Sequence, residues 1–189
     1  MIGLLPTTIE IQDVKYKIRT DYRDILRIIE ALQDDELTEI DKCRVIIKVM
    51  YIEDIPMNQW QEAINKAIDF INCGGKIQKP IYRKPLYNWE QDEQMIFSAL
   101  NKVAGTELRQ AEYIHYWTFV GYFNEIGDGM FSTVLNIRIK LLKHSKLSKE
   151  EREFYVKNKE IIELKRKYTA EDLNDLNELE KMLGGESNG

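Results

Sequence analysis

The sequence predicts a mainly α protein, a helical bundle with a small N-terminal β-hairpin. Three observations carry this prediction: apolar residues recur at helical spacing from residue 21 onward, only residues 8–18 alternate with the period of strands, and aromatic residues concentrate in 111–126. Six aromatic side chains lie between Tyr113 and Phe123, on several faces of a helix. A helix that is apolar on most sides is buried on most sides, so we expect this helix at the centre of the fold.

The predicted hairpin covers residues 8–18, with its turn at Gln12–Asp13. Apolar residues alternate on both sides of that turn: Ile9, Ile11, Val14, Tyr16 and Ile18. An isolated hairpin is marginally stable in water. We therefore expect it to pack against the helices that follow.

The remaining predicted elements are helices. They cover residues 21–32, 38–50, 58–71, 88–104, 111–126, 131–137, 148–167 and 169–183. Thr38 with Asp41, and Ser148 with Glu151, have the spacing of helix N-terminal caps, and Gly105 is placed to end the fourth helix. In the aromatic helix we expect Trp117, Val120 and Phe123 in the core, together with either Phe119 or Tyr116.

Residues 74–88, GGKIQKPIYRKPLYN, interrupt the helical pattern. They contain two of the four prolines and two of the ten glycines, which is typical of an extended connector. The connector is the best candidate for a hinge or an exposed binding loop, and Tyr82 and Tyr87 are its candidate partner-binding residues.

Catalytic and metal-binding chemistry is not indicated by any motif. Neither of the two histidines, His115 and His144, lies at ligand spacing from another His or Cys. His115 falls within the aromatic helix, where we expect a hydrogen-bonded core or boundary residue. Cys43 and Cys73 fit apolar helical patterns and are expected to be free thiols. The sequence thus predicts a non-enzymatic protein without a cofactor.

Hydropathy and compartment signals favour a cytoplasmic protein. No apolar run approaches the roughly 18 residues of a membrane span. The N-terminal sequence MIGLLPTTIE has neither a basic region nor an extended apolar stretch, so we do not expect a signal peptide.

Charge is distributed unevenly near the C-terminus. Residues 138–167 contain eleven Lys or Arg and five Glu, whereas residues 168–189 contain six acids and Lys181. We divide the chain accordingly into a helical domain with its hairpin, 1–167, and an acidic C-terminal helix and tail, 168–189. The basic stretch is interpreted as a solvated helix with internal ion pairs; a nucleic-acid surface is the weaker alternative.

The C-terminal helix carries a narrow apolar stripe with acidic residues around it. The stripe consists of Leu173, Leu176, Leu179 and Leu183. Such a stripe closes against one other helix. The partner helix is either in a second copy, giving a homo-oligomer, or in the protein's own bundle, and both alternatives remain open.

Several short motifs, in this order and spacing, resemble a phage protein family known by its gene-product number, fifteen. The matching residues are Ile18–Arg19–Thr20–Asp21–Tyr22–Arg23, Asn72–Cys73–Gly74–Gly75, Asp92–Glu93 before an Ile-Phe-x-Ala-Leu helix, Tyr113–Ile114–His115–Tyr116–Trp117–Thr118–Phe119, Arg138, and Lys149–Glu150–Glu151–Arg152–Glu153–Phe154–Tyr155. None of these motifs is a catalytic signature.

The resemblance implies a role in building the tails of long-tailed phages of Gram-positive hosts. Such proteins are generally encoded between the major tail protein and the tape measure protein. That position implies a tail assembly chaperone, which coats the tape measure protein, recruits tail tube subunits and leaves before the tail is finished. The alternatives are a structural tail component retained in the virion and a nucleic-acid-binding phage regulator.

Overall fold

The computed structural model describes residues 3–75 and 86–165. Its strands are β1 (Thr8–Ile11) and β2 (Val14–Lys17), and its helices are α1 (Tyr22–Gln33), α2 (Glu39–Met50), α3 (Trp60–Ile71), α4 (Glu93–Ala104), α5 (Tyr116–Asn124), α6 (Met130–Leu142), α7 (Lys149–Lys157) and α8 (Lys159–Ile162). Short 3-10 turns at Met57–Gln59 and Leu108–Gln110 precede α3 and α5. The predicted class, mainly α with an N-terminal hairpin, is confirmed.

The hairpin has the predicted two-residue turn. Gln12 and Asp13 have φ of 46° and 64°, and Ile11 pairs with Val14 across the antiparallel ladder. Left-handed backbone at both turn residues matches the twist of the two strands. Ile11 is fully buried, and β1 packs against α3, which supplies the support that a lone hairpin lacks.

Helices α1 to α6 form two groups joined through the aromatic segment, and α8 packs against α6 and α7. In the first group α2 packs between α1 and α3; in the second α4 packs against both α5 and α6. Contact between α1 and α5 joins the groups, and there the rings of Tyr22 and Phe119 stack with their centroids 4.5 Å apart. Both rings are buried, so the aromatic segment lies at the centre of the fold as expected.

The aromatic helix is shorter than the predicted 111–126, because α5 begins only at Tyr116. The residues before it pair with the start of α1 instead: the Tyr22 amide donates to the Ile114 carbonyl and the Tyr116 amide to the Thr20 carbonyl. This pairing brings two of the motifs that carry the family resemblance into contact. Tyr113 lies outside the helix and is 55% exposed.

Burial within α5 is uneven. Tyr116 and Phe119 are both buried, where one of the two was expected in the core. Trp117, Val120 and Phe123 are only half-buried and pack at the edge of the core. The nine-residue helix therefore has one face in the core and a second face at its margin.

Other helices also begin or end at residues that differ from the predicted ones. The basic helix predicted over 148–167 is broken at Asn158 into α7 and α8, although the Ser148–Glu151 capping box is present. Helix α4 begins at Glu93 rather than near residue 88, because Asn88 accepts a hydrogen bond from the Gln91 amide in a preceding turn. The segment predicted as helix 131–137 extends over all of α6.

Candidate functional site

A groove of about 730 Å³ lies between α4 and residues 125–132, which connect α5 to α6 and include the first residues of α6. Its apolar lining comes from Met95, Ala99, Val103, Ile126, Met130 and Phe131. Polar side chains form its rim: Gln94, Ser98, Lys102, Glu125, Asp128 and Ser132. An apolar concave surface with a polar rim is the usual form of a binding site.

The α4 wall exists because this helix is apolar on two faces. Ile96, Phe97 and Leu100 are buried in the core. Met95, Ala99 and Val103, spaced by four residues, face the groove. Such an i, i+4 row is the ridge with which one helix packs against another, and the methyl group of Ala99 at its middle leaves depth for a partner side chain.

The opposite wall is the tight connection from α5 to α6. The Gly129 amide donates to Ser132 Oγ, and Thr133 Oγ1 donates to the Gly129 carbonyl, so the first turn of α6 is well anchored. Met130 follows directly and is 49% exposed. A flexible, polarisable methionine adapts to partner side chains of different shapes. In this wall the backbone is held by hydrogen bonds, whereas the Met130 side chain can adapt its conformation.

Tyr87 supports the groove from behind. Its ring packs 6.0 Å from that of Phe131, which lines the groove, and 5.6 Å from that of Phe123. Burial raises the pKa of the Tyr87 phenol. Tyr87 thus lies half-buried beneath the groove, and its predicted role in partner binding stays a prediction.

A buried ion pair fixes α4 against α6. Arg138 Nη1 and Nη2 donate to the two carboxylate oxygens of Asp92 at 2.6 and 2.9 Å, and both side chains are almost fully buried. Asp92 Oδ2 also accepts a hydrogen bond from the Asn88 amide. This two-point geometry fixes orientation as well as distance.

All five N–H donors of Arg138 have partners. Besides Asp92, they donate to the carbonyls of Leu86, Ile161 and Ile162. The last two are carbonyls at the end of α8, which have no partner within the helix. Arg138 therefore holds together the end of the connector, α4, α6 and α8. Although its charge belongs to the basic stretch interpreted as a solvated helix, Arg138 itself is a buried structural residue.

His115 is a hydrogen-bonded core residue, as expected. Its Nδ1 accepts from the Trp117 amide at 3.1 Å and caps the start of α5. Because Nδ1 accepts, Nε2 carries the proton and donates to the Pro6 carbonyl at 2.9 Å. Both ring nitrogens are thus engaged with the backbone, in a structural arrangement.

The other candidate partner-binding residues lie outside the described residues. They are Tyr82 in the connector and Leu173, Leu176, Leu179 and Leu183 in the C-terminal stripe. Sequence reasoning missed the groove because Met95 and Ala99 fall off the core stripe of α4. The detectable signal was a second apolar row on that helix, at residues 95, 99 and 103.

Within residues 3–75 and 86–165, no group of three His, Cys, Asp or Glu side chains could hold a metal ion. Over the same part of the chain, no helix has the length and apolar character needed to cross a bilayer. Cys43 and Cys73 are free thiols. Cys73 lies just beyond α3 in left-handed backbone, with φ of 55°, rather than in the helix.

The described residues define a class: a mainly helical protein with an N-terminal hairpin and an apolar groove. The family model described as Bacteriophage Gp15 protein matches residues 1–164. The chain therefore belongs to the Bacteriophage Gp15 family and is a phage protein. No curated protein and no solved structure matches it.

Proposed function

We propose that this protein is a tail assembly chaperone that binds helical segments of the tape measure protein and carries out no chemistry itself. The observation that carries the proposal is the apolar groove between α4 and residues 125–132. Family membership supports it, because the resemblance implies a product encoded beside the tape measure gene. The proposed site of action is the cytoplasm of the host cell.

The groove suits an amphipathic helix better than an extended peptide. An extended strand needs an open sheet edge, whereas an amphipathic helix inserts residues at i, i+3 or i+4, and i+7 into an apolar channel. From Met95 to Val103, the α4 wall is about 12 Å long, which matches two helical turns of a partner.

Affinity at this groove is expected to be modest. Each apolar side chain that a client buries contributes about 1.5–3 kcal/mol. A two-turn segment supplies three such residues, and the entropy of association offsets much of the gain. A chaperone that must coat a long chain and then leave the finished tail needs many weak contacts of this kind.

The rim favours clients of a particular charge. The charged side chains around the groove are those of Lys102, Glu125 and Asp128. The rim therefore has a net negative charge, which favours apolar helices flanked by Lys or Arg. Clients with an acidic flank are expected to bind less tightly.

Co-expression with the tape measure protein tests the proposal. The intact chain should retain the tape measure protein in a pull-down, and Ala99→Glu, which places a charge in the groove, should lose it. Ile40→Glu is the matched control, because Ile40 is exposed on α2, a helix that packs against α1 and α3. Failure of the intact chain to retain the tape measure protein would overturn the proposal.

Mass spectrometry of purified virions separates this function from its main alternative. A chaperone should be absent from finished particles, whereas a structural tail component should be present in constant stoichiometry. A nucleic-acid-binding regulator would instead show binding that falls steeply as salt is raised.

A further inference from the structure

The last described residues are held next to the groove. The side-chain amide of Gln91 binds the chain at two points: its Oε1 accepts from the Lys165 amide at 2.8 Å, and its Nε2 donates to the Glu163 carbonyl at 2.9 Å. Gln91 lies three residues before Gln94, the first groove residue of α4. Lys165, the last described residue, is thus held close in the structure to the Gln94 end of the groove.

The apolar surface is continuous from this exit point into the groove. Ile162, buried at the end of α8, packs in a small cluster with Val134 and Ile137. Met95 packs against the same cluster and also lines the groove. The end of α8 therefore packs against a core that also contacts the groove wall.

The length of the C-terminal stripe matches the groove. In the helix that the sequence predicts, Leu173 to Leu183 span about 15 Å, against about 12 Å from Met95 to Val103. The eight residues from Lys165 to Leu173 can cover up to about 26 Å when extended, so the stripe can reach the whole groove.

We infer that residues 169–183 of this chain occupy the groove of their own molecule and must be displaced by a client helix. This inference rests on the proposed function, because it assigns a regulator to the same groove. The tether makes the contact intramolecular and raises its effective concentration to about the millimolar range. The acidic flanks of the stripe meet Glu125 and Asp128 on the rim, and this repulsion keeps the contact weak enough for a basic-flanked client to replace it.

Disulfide trapping in the full chain tests the docking directly. In a Cys43→Ser, Cys73→Asn background, Ser98→Cys is combined with Leu176→Cys; asparagine tolerates the left-handed backbone at position 73. The control pair is Ile40→Cys with Leu176→Cys, since Ile40 is exposed on α2. At low protein concentration, the groove pair should form an intrachain disulfide at least about tenfold faster than the control pair.

Equal rates for the two pairs would overturn the inference. So would disulfides that form mainly between chains and increase with protein concentration, because the occupant would then be a second copy.

Client affinity separates failure of this inference from failure of the proposed function. Leu176→Asp with Leu179→Asp should strengthen binding of the tape measure protein several-fold, whereas Asn174→Asp with Asn177→Asp adds the same charge off the stripe and should leave it unchanged. Suppose that neither double substitution changes the affinity for the tape measure protein, while Ala99→Glu abolishes binding. In that case the proposed function stands and the inference fails. If the groove disulfide forms but no variant binds the tape measure protein, the docking stands and the proposed function fails.

Discussion

At the scale of the residue, Arg138 determines how several segments meet. A buried guanidinium is costly unless every donor is satisfied, and here Asp92 neutralises the charge while the carbonyls of Leu86, Ile161 and Ile162 take the remaining donors. Asp92 and Arg138 both belong to the motifs that carry the family resemblance. Their role in this structure is to hold α4 and α6, and with them both walls of the groove.

Replacing Arg138 with methionine should lower the free energy of unfolding by about 3–5 kcal/mol, because the Asp92 carboxylate is left buried without a partner. The exposed Arg152→Met should change it by less than about 0.5 kcal/mol. Urea denaturation measures both. Adding Asp92→Leu to Arg138→Met should recover part of the loss, and an unchanged midpoint for Arg138→Met alone would contradict the assignment.

The carboxylate of Glu107 is expected to make the free energy of unfolding depend on pH. Its carboxylate accepts from Arg109 Nε at 2.8 Å and from Asn101 Nδ2 at 2.8 Å, tying the turn after α4 to the helix. The hydrogen bonds from the Arg109 side chain lower the pKa of Glu107 from 4.5 to about 2. Because the folded-state pKa is depressed, the stabilisation is present above pH 4.5 and is lost as pH falls towards 2.

Comparison of the intact protein with Glu107→Gln tests this pH dependence. The difference in their free energies of unfolding should be constant above about pH 5 and should shrink between about pH 4.5 and pH 2. Chemical denaturation at several pH values measures the difference. A difference that does not vary with pH would show that the carboxylate charge contributes nothing at this turn.

At the scale of the element, the local sequence pattern predicted only part of the structure of α5. Its aromatic residues predicted a long, central helix, and the central position of Phe119 follows from that pattern. The late start at Tyr116 does not, because it depends on backbone pairing with Thr20 and Tyr22, far away in the chain. His115 as the capping residue is likewise visible only once that pairing is known.

Truncation of α5 residues should separate its two faces. Phe119→Ala removes a side chain that is 1% exposed and stacked on Tyr22, so we expect a loss of about 3–5 kcal/mol. Trp117 is half-buried and donates from Nε1 to the Phe70 carbonyl, so Trp117→Ala should cost less than this range. Thermal or urea denaturation ranks the two, and a larger loss for Trp117 would contradict the burial described.

At the scale of the whole molecule, the features that the sequence predicted are those set by neighbouring residues. The Gln12–Asp13 turn, the Thr38 and Ser148 caps and the Gly105 stop all depend on a few adjacent positions. The break at Asn158 instead accompanies contacts of Ile162 with Arg138 and of Glu163, just after α8, with Gln91. The groove could not be predicted for the same reason, because its two walls are separated in the sequence and meet only in the folded chain.

We propose that the groove between α4 and residues 125–132 binds amphipathic helices of the tape measure protein. Calorimetric titration of the protein with overlapping peptides that cover the tape measure sequence tests it most directly. Peptides with an apolar i, i+3 or i+4, i+7 stripe and basic flanks should bind, and Met130→Asp should weaken them at least about tenfold, equivalent to about 1.4 kcal/mol. Binding that is indifferent to the stripe or to Met130→Asp, or no binding by any peptide, would contradict the claim.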